Sequence, residues 1–123
     1  PPTKLVAVAG EPRIRELAGR FKQLFGDRLF VATSLPMFLE LASRDVSKGS
    51  GMAFVADRLG FDAARTIAFG DGENDVELLE WAGFGIAVAD AHPRLRAVAD
   101  WTCPGPSEAG VASVLEAYLD LTA

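Results

Sequence analysis

The chain has 123 residues, half of them hydrophobic and 24% charged, the balance of one folded domain rather than a disordered chain. Seventeen acidic residues against twelve basic ones give a net charge of −5 with no basic cluster. That excludes nonspecific binding to nucleic acid or to an anionic membrane surface.

No apolar run approaches the roughly 20 residues needed to span a bilayer. The single cysteine, Cys103, cannot close an internal disulfide, so a reducing, cytoplasmic setting is expected. The chain opens Pro1-Pro2-Thr3-Lys4 without an initiating Met, and is expected to be a piece of a longer protein.

In chain order, Leu5–Ala9 reads as a short strand ending at Gly10. Apolar residues at Ile14, Leu17, Ala18, Phe21, Leu24 and Phe25 then mark one face of a helix that Gly26 closes. Leu29–Thr33 and Met37–Leu41 read as two strands joined by a turn at Ser34-Leu35-Pro36. This β-α-β-β order predicts an antiparallel layer carrying one helix.

The pattern changes between Ser43 and Ser47. Beyond Lys48 a helix presents Met52, Val55, Ala56 and Leu59 on one face and ends at Gly60. Thr66–Phe69 reads as a strand buried on both faces, followed by a helix from Asp75 to Ala82. A strand at Phe84–Ala89, a helix at Pro93–Ala99, a strand at Trp101–Cys103 and a last helix through Leu119 complete the chain. Repeated alternation of this kind predicts an α/β fold, a parallel sheet covered by helices.

The stretch that carries chemistry is Gly70-Asp71-Gly72-Glu73-Asn74-Asp75. It joins the end of a buried strand to a helix, where ligands bind in open α/β sheets. Its glycines let the backbone turn sharply, and the helix start offers N–H groups to an anion. Carboxylates beside an anion need a cation between them. Mg²⁺ fits, since it takes one or two carboxylates and completes its shell with water and phosphate. Lys48, in another loop just before a helix, adds a positive charge, and Lys with Mg²⁺ is the usual electrostatic pair of a phosphoryl-transfer site.

Val46-Ser47-Lys48-Gly49 followed by Gly70-Asp71-Gly72-Glu73-Asn74-Asp75 resembles the third and fourth motifs of the haloacid dehalogenase superfamily. Gly85-Ile86-Ala87-Val88-Ala89-Asp90-Ala91, Ala99-Asp100 and Glu108-Ala109-Gly110-Val111-Ala112 narrow the resemblance to its Cof-type phosphatases, which carry an α+β cap. The resemblance implies that residues 1–44 are the end of the cap and residues 45–123 the C-terminal half of a Rossmann-like core. It implies a Mg²⁺-dependent phosphatase acting on a small phosphorylated metabolite such as a sugar phosphate.

By the same resemblance Asp71 is a Mg²⁺ ligand and Lys48 the phosphate-binding lysine. Asn74 contacts substrate or phosphate, and Asp75 supports the metal or orients Lys48. Asp90 departs from the family, which usually has Asn there. The larger departure is that the family's Asp-x-Asp nucleophile segment does not occur in this chain. The isolated chain is therefore expected to be inactive, and to associate with the missing N-terminal half or a second copy, or to be only marginally stable. A non-catalytic remnant that binds partners is the alternative.

Quieter roles compete for the same residues. Asn74 with Glu77 resembles a helix cap, and Asp75 and Glu77 suit a helix's first turn without any ligand. His92 beside Pro93 reads as a surface or capping residue, Cys103 as a small core residue, and Trp81 and Trp101 as core. A phospho-acceptor receiver domain is disfavoured, because Gly10-Glu11 rather than an acidic pair follows the first strand. No Gly-x-x-x-x-Gly-Lys phosphate loop occurs.

Overall fold

The structure is a computed structural model, and it describes residues 2–119. Its first unit holds strand β1 (Lys4–Val8), helix α1 (Glu11–Phe25) and strands β2 (Leu29–Leu35) and β3 (Phe38–Ser43). These strands form an antiparallel sheet in the order β1-β3-β2, with Val31 opposite Leu41 and Val6 opposite Glu40. Helix α1 lies on one face, where Ile14, Val31 and Leu39 are buried and Leu17, Ala18 and Phe21 pack around them. The helical period of its apolar residues thus meets the two-residue period of the strands. The expected turn begins two residues later: β2 runs on through Ser34 to Leu35, and Pro36-Met37 make the reversal. Pro36 has no N–H for the ladder, so pairing stops there.

The second unit begins with helix α2 (Lys48–Leu59) and continues through strand β4 (Ile67–Gly70), helix α3 (Val76–Trp81) and strand β5 (Phe84–Val88). Helix α4 (Pro93–Val98), strand β6 (Trp101–Cys103) and helix α5 (Gly110–Leu119) follow. The start of α2 is fixed by a reciprocal cap. The Ser47 hydroxyl accepts from the Ser50 N–H at 3.1 Å, and the Ser50 hydroxyl accepts from the Ser47 N–H at 2.8 Å. Its end is fixed by Gly60, whose φ of 75° is left-handed and favours glycine.

Strands β4, β5 and β6 form a parallel sheet in that order. The central strand carries the core: Ile86, Ala87 and Val88 pack with Ala68, Leu79, Leu95 and Cys103, all buried. Cys103 is the small core residue the sequence led us to expect.

Three expectations of burial fail. Strand β4 is not enclosed on both sides; only Ala68 of its four residues is buried, because among the described residues β4 is an edge strand pairing with β5 alone. The apolar face of α2 is only partly covered: Ala56 is buried and Met52 half-buried, but Leu59 is 72% exposed and Val55 and Phe54 are exposed beside it. Trp101 is 51% exposed instead of lying in the core, since β6 forms the opposite edge. Among the described residues no helix is long and apolar enough to cross a membrane.

Candidate active site

The loop after β4 is held by Asp75. This carboxylate is 4% exposed, and its Oδ2 accepts the backbone N–H groups of Asp71 at 3.1 Å and Gly72 at 3.0 Å. Its Oδ1 accepts from the Lys48 ammonium. One side chain therefore folds the loop back on itself and aims the first residue of α2 at it. The close packing needs glycine at position 70, where a Cβ would stand 2.7 Å from the Cβ of Asp75. It needs glycine at position 49 too, where a Cβ would stand 2.2 Å from the Glu77 carbonyl oxygen. Helices α2 and α3 cross at that point, which brings Lys48 within reach of Asp75.

Burial works to raise the Asp75 pKa. The Lys48 ammonium and the N–H groups of Gly72 and Asp71 outweigh it, so the carboxyl is held below its ordinary value. The family resemblance allows Asp75 to support the metal or to orient Lys48; here its Oδ1 accepts from Lys48 and its Oδ2 from the two loop N–H groups, which holds Lys48 toward the loop.

Glu73, to which sequence reasoning gave no role, is also neutralised. Its Oε1 accepts from Lys22 Nζ and from Arg94 Nη1, each at 2.6 Å, and its side chain is 10% exposed. Burial again opposes ionisation, and the hydrogen bonds and charges of Lys22 and Arg94 hold the pKa below its ordinary value. The only hint in the sequence was a third acid in a loop that needed at most two.

Asp71 differs from both. It is exposed, and its carboxylate enters no ion pair among the described residues. Its backbone is fixed, because its carbonyl accepts the His92 N–H at 2.8 Å. His92 in turn caps α4, with Nδ1 accepting the Arg94 N–H at 3.3 Å, which is the capping role expected of it. Two of the loop's three acids thus pair with Lys22, Arg94 and Lys48, and the acid at the strand end enters no ion pair among the described residues.

Asn74 is not a helix cap. It sits inside a one-turn 3₁₀ segment, Glu73–Asp75, and Asp75 occupies the position before α3. Its side chain lines a cleft of about 340 Å³ together with Lys48, Lys4 and Glu40. Asp71 lines a different cleft of about 620 Å³, with Glu73, Asp90 and His92 on one wall and Arg15, Lys22 and Ser34 on the other. The structure therefore joins Lys48 to Asp75 directly and places Asn74 beside Lys48. It does not bring all four predicted residues into one cavity.

Among the described residues no cluster of three or more His, Cys, Asp or Glu could hold a metal ion by itself. A Mg²⁺ ion taking one carboxylate from this chain, with water and phosphate completing its shell, fits the free Asp71.

A family model for haloacid dehalogenase-like hydrolases matches residues 1–115. The chain belongs to that family. The haloacid dehalogenase motifs read from Lys48 and from Gly70 to Asp75 therefore stand in their proper fold. A phosphoglycolate phosphatase of Archaeoglobus fulgidus is 49% identical over 72 residues, 58% of this chain and 32% of that protein. A haloacid dehalogenase-like hydrolase of B. subtilis superposes with a TM-score of 0.80 at 27% identity, over 93% of this chain and 40% of that one. A sugar phosphatase of haloacid dehalogenase subclass IIB shares the fold at 21% identity, with a TM-score of 0.76 over 94% of this chain and 42% of that one. A HAD/COF-like hydrolase of Plasmodium vivax superposes with a TM-score of 0.86 at 25% identity, over 97% of this chain and 42% of that one, and the chain is of this Cof-type branch. It spans less than half the length of each of these relatives.

Proposed function

We propose that the chain is the charge-neutralising part of a Mg²⁺-dependent phosphatase that hydrolyses small phosphate monoesters. The observation that carries this reading is the sorting of the loop's acids, in which Asp71 alone is left free at the end of a parallel strand. Asp71 would hold Mg²⁺, which when bound neutralises phosphate oxygens and polarises the phosphorus toward attack. Lys48, aimed by Asp75, holds a phosphate oxygen. One ammonium at ~4 Å contributes about 4 kcal/mol at an effective dielectric near 20. Asn74, beside Lys48, donates its amide N–H to the phosphate or to the substrate's leaving-group side.

The reacting carboxylate lies outside this chain. In the whole protein it attacks phosphorus as the ester P–O bond breaks, the alcohol leaves with a proton from the second acid of the Asp-x-Asp segment, and water then hydrolyses the aspartyl-phosphate to free carboxylate and inorganic phosphate. The uncovered face of α2, with Phe54, Val55 and Leu59, and the unpaired edge of β4 form the surface on which that N-terminal half seats. Sugar phosphates are the substrate class in this reading, and phosphoglycolate, named for the archaeal relative, belongs in the same substrate panel. A cytoplasmic setting is part of the reading and rests on the single buried Cys103.

The uncovered face also favours a second reading, a non-catalytic module whose function is to bind a partner there. Both are tested with p-nitrophenyl phosphate and Mg²⁺. The isolated chain is expected to hydrolyse it no faster than buffer, whereas the full-length parent turns it over and loses that activity in Asp71→Asn. A parent without an Asp-x-Asp segment and without turnover supports the module instead.

A further inference from the structure

We infer that Lys22 and Glu73 form a latch that fixes the β-α-β-β unit over the loop and so sets the width of the cleft into which Asp71 opens. Among the described residues the two units share no sheet, and the chain joins them once, through residues 44–47. Among the described residues, a single hydrogen bond crosses from residues 2–43 to residues 48–119. It runs from Lys22 Nζ on α1 to Glu73 Oε1, at 2.6 Å.

The bond is built from both sides. Glu73 is also held by Arg94 of α4, which reaches the same oxygen at 2.6 Å, so the acceptor has a second tether on its own unit. The side chain of Glu73 is 10% exposed while that of Lys22 is 38% exposed, which shields the bond from solvent at the acceptor end. Lys22 and Glu73 both line the 620 Å³ cleft, with α1 forming one wall and the Asp71 loop the other. A substrate entering there passes between two walls joined by this one polar contact. Glu73 is thus a positioning residue, and its pairing also keeps a second carboxylate from competing with Asp71 for a cation.

The inference stands apart from metal binding and can be read without it. Spin labels at two exposed sites, Gly19→Cys on α1 and Ala97→Cys on α4, report the separation of the walls by pulsed dipolar spectroscopy. Cys103, 1% exposed, does not take a label. The full-length parent, labelled at these two sites with any other accessible cysteine removed, is expected to give one narrow distance distribution. Lys22→Met and Glu73→Gln each broaden it and move it to longer distance, and the double substitution goes no further than either single one. Lys22→Arg, which keeps the donor, restores the narrow distribution. Lys22→Met keeps most of the stem on a helix whose core contacts lie elsewhere, so circular dichroism should match the parent. A Lys22→Met distribution that coincides with the parent's overturns the latch, as does broadening that Lys22→Arg fails to reverse.

Discussion

Asp75 shows how one buried acid serves two ends. It collects two backbone N–H groups and a lysine, so its charge is compensated where it stands and it cannot leave without opening the loop. Its native pKa is lowered, so its stabilisation is complete above the unfolded value, about 3.9, and drains away as pH falls through the native one. We therefore expect acid unfolding, followed by circular dichroism, to lose its steepest part below about pH 4 in Asp75→Asn, because that titration no longer contributes. In the full-length parent, Lys48→Met should cost on the order of 10²–10³ in kcat/KM, the usual result of deleting one preorganised donor to a developing charge. Asp75→Asn should lower kcat/KM as well, by letting Lys48 swing away. An unchanged kcat/KM in Lys48→Met would remove that residue from the site.

At the scale of elements, the legible features were those set by local chemistry. The Ser47–Ser50 reciprocal cap, the left-handed Gly60 and the apolar period of α1 lie within a few residues of one another, and each element formed where those signals stood. What could not be read was burial. Leu59 and Val55 have the spacing of a core face, yet sequence spacing carries no information on whether another element is there to cover them. Glu73 escaped for a related reason: its partners lie 51 and 21 residues away, and no local pattern announces a contact of that range. The local signals make their own predictions. Ser47→Ala should lower the stability of the chain by about 1 kcal/mol through loss of the cap. Gly49→Ala should cost more, about 1–3 kcal/mol, because its Cβ would collide with the Glu77 carbonyl and α2 would have to move off α3. Urea titration of each variant reads both values.

For the whole molecule, the two sheets have separate cores, one around Leu39 and one around Ile86 and Leu95. Among the described residues the second of these sheets ends at β4 with its outer edge unpaired. Hydrogen exchange should therefore be slowest in β5, which is paired on both sides, and faster in β4. Adding the N-terminal half in trans should slow exchange at β4 and along α2, and size-exclusion chromatography should show a one-to-one complex. A monomer whose β4 amides are already as protected as those of β5 would mean that this edge needs no cover.

The central claim is that the free carboxylate at the end of β4 holds a divalent cation and that Lys48 shares the oxyanion with it. Calorimetric titration of Mg²⁺ into the full-length parent tests this most directly, with and without vanadate. The account predicts uptake of Mg²⁺ that vanadate strengthens, that Asp71→Asn abolishes, and that Lys48→Met leaves in place while removing the vanadate effect. An absence of Mg²⁺ uptake under both conditions, or uptake that persists unchanged in Asp71→Asn, would contradict it.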